Sequence, residues 1–219
     1  MKKIISILCF YIFMFNTVSA EIGVNVGISG QLGLFTATGK EVDTGPNATE
    51  THEDTEIGAA GFGSIFIEKT LGDRLAIGID YVPSALTTDT VETSKTDKTT
   101  TDASTSKTNK LKVDFKDLTT YYVSLNVTDN LYLKAGYATV DILTKEDLGT
   151  GSAYGDTDTD ATVLGFGYDK SFDNSMFVRL EGIYMDFDGA SVTSSNSDNK
   201  VTLKSLDGVM GKLSIGKSF

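Results

Sequence analysis

The chain has 219 residues, 19 of them basic and 30 acidic, which gives a formal net charge of −11. This balance argues against a nucleic-acid-binding protein, because no basic field is present to displace counterions from phosphates. With 22 glycines, 2 prolines and 40% hydrophobic residues, the composition excludes a collagen-like or disordered chain and favours strands. The single cysteine, Cys9, excludes a disulfide scaffold and a thiolate metal site.

The first twenty residues have the pattern of a secretory signal. Lys2 and Lys3 supply positive charge, an apolar run follows from Ile4 to Phe15, and Val18-Ser19-Ala20 forms a cleavage-site pattern. The apolar run is too short to span a bilayer as a helix. We therefore predict cleavage between Ala20 and Glu21, export from the cytoplasm, and a mature domain of residues 21–219.

Eight later segments alternate apolar and polar residues with period two, which is typical of strands with one apolar face. In the fourth segment the apolar residues from Leu111 to Val127 share one parity. The register of the second segment is left open, because the glycine-rich run 58–63 fits either parity. The predicted strands span 22–34, 57–70, 74–83, 111–127, 131–143, 161–172, 176–186 and 201–219.

Short and long connections alternate along the chain. Three tight turns of Gly, Asn and Asp are predicted at 71–73, 128–130 and 173–175. The long polar connections are 37–56, 84–110, 144–160 and 187–200. An even strand count with alternating short turns and long loops is the topology of a bacterial outer-membrane barrel, whose short turns and termini are periplasmic and whose long loops are extracellular.

The last strand supports the same class. It carries Leu213 and Ile215 at alternate positions and ends on the aromatic Phe219. In this pattern the chain resembles the small outer-membrane β-barrel family of the outer membrane protein A transmembrane domain and outer membrane protein X. The resemblance implies that Leu213, Ile215 and Phe219 belong to a signal read by the barrel-assembly machinery. The predicted fold is thus an all-β, eight-stranded, antiparallel up-and-down transmembrane barrel.

Charged residues in the polar register predict a network inside the barrel. They lie at similar distances from the short turns, so we expect one layer of three acids and three bases with no net charge. Arg179 and Glu181, with Lys134 and Lys212, are expected to form its core and to carry no catalysis. The predicted members are Glu68, Asp80, Lys134, Arg179, Glu181 and Lys212.

Aromatic residues are expected at both membrane interfaces, where Tyr and Phe must serve because tryptophan is absent. The periplasmic candidates are Phe172, Phe177 and Phe219, and the outer candidates are Phe35, Tyr81, Phe115 and Tyr184.

Two motifs are candidates for catalysis or cation binding. His52 is the only histidine, and catalysis would require a nucleophile and an orienting acid to converge on it; we interpret it as a solvated loop residue. The run Asp156, Asp158, Asp160 begins like an EF-hand, but Ala161 and Gly167 occupy the positions that require Gly and Glu. These aspartates remain candidates only for a weak surface cation site.

An eight-stranded barrel has an interior that side chains can fill. We therefore predict a non-enzymatic outer-membrane surface protein, without cofactor and monomeric, that stabilises the envelope or binds an extracellular partner through its loops. Outer-membrane lipid and lipopolysaccharide are the expected surroundings. The alternatives are a narrow channel for small solutes and a lipid-modifying enzyme.

Overall fold

The structure, a computed structural model, describes residues 23–44, 49–87, 91–96, 106–148, 153–195 and 199–219. The predicted signal, including Ala20 and Glu21, lies outside these residues. The strands are β1 (Val24–Thr44), β2 (Thr49–Leu71), β3 (Leu75–Tyr81), β4 (Leu86–Thr87), β5 (Val91–Thr96), β6 (Ser106–Asn126), β7 (Leu131–Leu148), β8 (Thr157–Ser171), β9 (Met176–Phe187), β10 (Ala190–Thr193) and β11 (Asn199–Ser218). Over the described parts of the chain, no helix is long and apolar enough to cross a membrane.

Eight of these strands form a closed antiparallel ring, as the sequence predicts. The order is β1-β2-β3-β6-β7-β8-β9-β11, and β11 pairs back onto β1 from Asn25↔Ser218 to Asp43↔Asn199. The short strands β4, β5 and β10 pair only at the margins, with β6 or β11. Ring closure gives each of the eight strands a hydrogen-bonded neighbour on both sides, and such pairing is the condition for a sheet to lie in lipid.

The outer surface of the ring is a belt of exposed apolar side chains. A surface this apolar is unfavourable in water, so it is the lipid-facing band of a transmembrane barrel. It also settles the register of β2, where Ile65 and Ile67 face outward and Phe62 and Glu68 are buried. Members of the belt include Val26, Ile28, Leu32, Leu34, Ile65, Ile67, Val123, Leu125, Leu133, Leu164, Phe166, Leu180, Val209, Leu213 and Ile215.

The two ends of the barrel differ. At one end, which we call the turn end, β2–β3, β6–β7 and β8–β9 are joined by short turns, and both Gly72 and Ser175 adopt positive φ there. At the other, the long end, the predicted loop 37–56 is mostly strand, because β1 and β2 remain paired up to Thr44↔Thr49. The loop prediction was wrong there, because strands were recognised by apolar alternation. A polar strand in water lacks that alternation and is held by its backbone hydrogen bonds.

A bulge in β6 changes which face its residues occupy. Asp117 has a φ of 54°, and the register with β7 shifts between Lys116 and Thr119. On the long-end side of this extra residue Phe115 packs on the buried core, whereas on the turn-end side Tyr121, of the same parity, lies on the face of the exposed Val123. The single parity predicted for 111–127 is therefore wrong, because a bulge inserts one residue and reverses inside and outside.

Three of the aromatic residues predicted at the membrane interfaces lie inside the barrel instead. Phe177 is only 2% exposed and lies in the lumen, and Phe35 and Phe115 pack against the buried apolar cluster. Phe172, Tyr184 and Phe219 do point outward. Periodicity could not separate these cases, because a phenylalanine suits both a lipid face and a packed lumen.

Candidate functional site

The turn-end half of the lumen is filled by ion pairs. Arg179 binds Glu68 through Nη1 and Asp169 through Nε, the latter at 2.6 Å between Nε and Oδ2. Lys134 pairs with Glu181, and Lys212 pairs with Asp80. We call this set, Glu68, Asp80, Lys134, Asp169, Arg179, Glu181 and Lys212, the ionic layer.

All six residues predicted for the network lie inside the barrel and are brought together. Arg179 contacts Glu68 and Asp169, whereas Glu181 binds Lys134. Asp169 was missed by sequence reasoning, although it shares the inward parity of Val163 along β8. Its distance from the turn at 173–175 was the available signal.

Aromatic rings hold the cations of the ionic layer from the side. The Arg179 guanidinium carbon lies 4.6 Å from the Phe177 ring centroid, and Lys134 Nζ lies 4.1 Å from that of Tyr122. Phe66 and Tyr132 also approach Arg179, at 5.7 Å and 5.5 Å. Such contacts stabilise a desolvated cation, so the layer combines charge pairing with close packing.

Each of these four rings lies across from a glycine on the neighbouring strand. The register pairs are Gly27↔Phe66, Gly78↔Tyr122, Gly167↔Tyr132 and Gly216↔Phe177. A Cβ built on any of these glycines would lie 2.3–2.5 Å from its ring. These four glycines therefore leave the space that the four rings occupy, which explains why these inward positions carry no side chain.

The long-end half of the lumen is apolar, although the sequence predicts a polar face along whole strands. The buried cluster there is Phe62, Val82, Leu118, Ala138, Val140, Ala161, Val163, Ile183, Met185, Phe187, Leu206 and Met210. A cavity of about 20 Å³, lined by Asp80, Thr120, Lys134 and Lys212 among others, lies where the two halves meet. This volume is about what one water molecule needs, and buried side chains occupy the lumen on both sides of it.

The candidate chemical residues lie apart from this filled interior. His52 is exposed on β2 at the long end. Asp156 accepts a hydrogen bond from the backbone N–H of Thr144 at 3.0 Å, and Asp158 and Asp160 are on β8. Within the described ranges, no three His, Asp, Glu or Cys side chains are grouped to hold a metal ion.

A carboxylate beyond the membrane belt ties β4 to β6. Asp114 Oδ1 accepts a hydrogen bond from Thr87 Oγ1 at 2.7 Å, and its other oxygen pairs with Lys145. The hydrogen bonds from Lys145 and Thr87 hold the pKa of the Asp114 carboxyl below its usual range. This contact anchors one side of the long end.

The Asp114 contact gives a pH prediction. Because the folded-state pKa is lowered, the contact is fully formed above the unfolded value of about 3.9 and is lost as pH falls through the lower folded value. The ¹³C shift of the Asp114 carboxyl should titrate with a midpoint below about 3.9, the value for an aspartate in an unfolded chain. Lys145→Met should move the midpoint upward. A midpoint at or above about 3.9 in the unmodified chain would contradict this assignment.

No protein-family model and no curated protein sequence matches the chain. Among solved structures, the outer membrane protein OprG of Pseudomonas aeruginosa aligns at 12% identity and a TM-score of 0.48, over 89% of this chain and 95% of OprG. The outer membrane protease OmpT of Escherichia coli aligns at 10% identity and 0.49, over 93% and 99%. The attachment invasion locus protein Ail of Yersinia pestis aligns at 9% and 0.35, over 87% and 99%. At these identities the likeness concerns the fold.

Proposed function

We propose that this chain is a non-enzymatic outer-membrane surface protein that acts through the strands at its long end. The filled lumen carries the proposal. Among the described residues, buried ion pairs and the buried apolar cluster occupy the lumen, and the cavity where they meet has a volume of about 20 Å³. We therefore expect no continuous path for a solute through the barrel.

The long end supplies the surface through which such a protein would act. Paired strands continue there beyond the apolar belt, with β1–β2 extending to Thr44↔Thr49 and β6–β7 to Asn109↔Leu148. Hydrogen-bonded hairpins hold side chains in fixed positions, and a rigid binding surface loses less entropy when a partner docks. Envelope stabilisation or adhesion would both use this surface.

The proposal orients the long end toward the outside of the cell. Thr51→Cys, exposed on β2, should react in intact cells with a maleimide carried on a polymer too large for porins. Asp129→Cys, exposed in a short turn, should react only after the outer membrane is permeabilised. The residues are matched in exposure and lie at opposite ends, so only orientation separates them. Labelling of Asp129→Cys alone in intact cells would refute the proposal.

A further inference from the structure

The outer wall of the barrel carries a groove across β7, β8 and β9, at the turn-end side of the apolar belt. The groove has a volume of about 330 Å³, at the lower end of the range for small-ligand pockets. Its outward side chains are Leu131, Phe166, Tyr168 and Leu180, which are 45–67% exposed. Because the belt lies in lipid, the groove opens onto acyl chains rather than water.

A glycine on the outer face forms the floor of the groove. Gly182 has the outward parity of Leu180 along β9 and lies opposite Phe166 of β8. A Cβ built on Gly182 would lie 3.0 Å from the Phe166 ring, so the ring lies beside the position that a side chain would fill. The next row toward the turn end is Leu131, Tyr168 and Leu180 in register. This row forms the other wall of the groove.

A cation lies at the turn-end margin of the groove. Lys170 is exposed on β8 and shares the outward parity of Tyr168, from which it is separated by about 7 Å along the strand. Its neighbour Asp169 instead pairs with Arg179 of the ionic layer. Asp129 and Asp173 lie in the adjoining turns. Lys170 is therefore the charged residue of β8 that borders the groove on the outer face.

Aromatic residues place this margin at the depth of the lipid headgroups. Tyr168 and Phe172 stand on either side of Lys170 at alternate positions and are 45% and 50% exposed. Aromatic rings are enriched where the hydrocarbon region meets the headgroups, and a lysine there extends its ammonium group toward the headgroups while its stem stays on apolar surface. The groove thus begins at headgroup depth and continues into the hydrocarbon region.

The end of β11 repeats the same sequence and offers an internal comparison. Lys170-Ser171-Phe172 closes β8, and Lys217-Ser218-Phe219 closes β11. Lys217 is also exposed and outward, with its Nζ 5.2 Å from the Phe219 ring centroid. The residues that line the groove come from β7, β8 and β9 and include none from β11. Lys217 therefore matches Lys170 in sequence and exposure without bordering the groove.

We propose that the outer wall of β7–β9 binds an anionic phospholipid, with its phosphate at Lys170 and one acyl chain in the groove beside Gly182. Lipid tails are as apolar as the belt, so the hydrophobic effect cannot select one lipid over another. Selection comes from the cation at the margin and from the shape of the groove. A lysine at an anionic lipid surface supplies about a fivefold preference. This inference concerns the membrane-facing wall and does not depend on the proposed role of the long end.

The test uses the folded chain in nanodiscs that contain phosphatidylglycerol and phosphatidylcholine in equal amounts and with the same acyl chains. Native mass spectrometry counts the lipids that remain bound after the disc is removed. We expect one phosphatidylglycerol to be retained, with about a fivefold preference over phosphatidylcholine. Lys170→Met should abolish the preference, and the matched control Lys217→Met should preserve it. Another lipid refills the groove in a bilayer, so the readout is lipid selection rather than stability.

Two results of this comparison would overturn the proposal. Equal loss of the preference in both lysine variants would show that charge at the rim recruits anionic lipid without the groove. Equal retention of the two lipids by the unmodified chain would show that no selective site exists. Both lysines are exposed, and migration of unboiled samples verifies that each variant is folded.

The groove is tested separately from the charge. Gly182→Leu places a side chain in the groove and leaves Lys170 unchanged, so it should abolish retention of the phospholipid. Gly30→Leu is the matched control, because nothing lies within 4 Å of a Cβ at this exposed glycine of β1, and it should leave retention unchanged. Retention by Gly182→Leu equal to that of the unmodified chain would refute the groove.

A photoreactive acyl chain locates the bound lipid. Phosphatidylglycerol that carries a diazirine in one chain should label residues 166–182 more strongly than the rest of the belt. Even labelling around the barrel would contradict a defined site. A dimer in the disc that retains no lipid would place a second copy on this face and would also overturn the proposal.

Discussion

Arg179→Met is expected to lower the free energy of unfolding by about 3–5 kcal/mol, because it leaves buried carboxylates without their cation. Glu68 is fully buried, and its partner on the far side of the lumen is Arg179. Asp169 loses the same cation. Urea unfolding in lipid vesicles, or the temperature at which unboiled and boiled samples migrate alike, measures the loss.

Two further variants isolate the ion pair. Glu68→Gln in the Arg179→Met chain removes the orphaned charge, so it should recover part of the loss, with a coupling of about 0.5–3 kcal/mol. Lys170→Met removes a cation of the same barrel from an exposed position and should change stability by no more than about 0.5 kcal/mol. If Arg179→Met unfolds like the unmodified chain but conducts ions, the arginine gates a pore and the structural role is wrong.

Gly27→Ala is expected to destabilise the barrel by about 1–3 kcal/mol, the usual cost of overpacking a filled core. The new Cβ would lie 2.5 Å from both the Ile215 carbonyl oxygen and the Phe66 ring. Neither can withdraw easily, since the carbonyl belongs to the β1–β11 ladder and the ring packs beside Arg179. The same unfolding measurement reports the change.

Gly30→Ala, three residues along the same strand, is the matched control. Nothing lies within 4 Å of a Cβ at Gly30, which is exposed in the belt. Alanine there should be neutral or stabilise by about 0.4–1 kcal/mol through reduced freedom of the unfolded chain. The two substitutions are thus expected to differ in sign. Equal effects would show that the Phe66 ring does not require the space above Gly27.

The sequence predicts the ring of strands and the positions of the lumen charges because both follow from period two. Counting residues from the short turns was sufficient to place Lys134, Arg179 and Glu181 at a common depth. The pairing within the layer was not predictable, because it depends on the stagger between strands that do not neighbour one another. Arg179 and Glu68 are separated by 111 positions in the chain.

The remaining differences arise where periodicity is interrupted or carries no information. Asp117 inserts one residue into β6, so Phe115 faces the lumen although alternation assigns it to the same outer face as Tyr121. The polar stretches 37–44 and 49–56 form strand because they pair with each other through backbone hydrogen bonds, and no apolar pattern marks this. The apolar long-end lumen escaped prediction because inward residues such as Val163 and Met185 resemble lipid-facing ones in sequence.

A closed interior is the central feature of this barrel as proposed, and conductance across a planar lipid bilayer tests it directly. Insertion of the folded chain would be verified by its altered migration without boiling, and a heat-unfolded sample would serve as the control. Because the ionic layer and the apolar cluster occupy the lumen and the cavity between them holds about one water molecule, we predict no stepwise conductance from the inserted barrel. Reproducible single-channel steps from the folded, unmodified chain would contradict the closed barrel and favour the narrow channel instead.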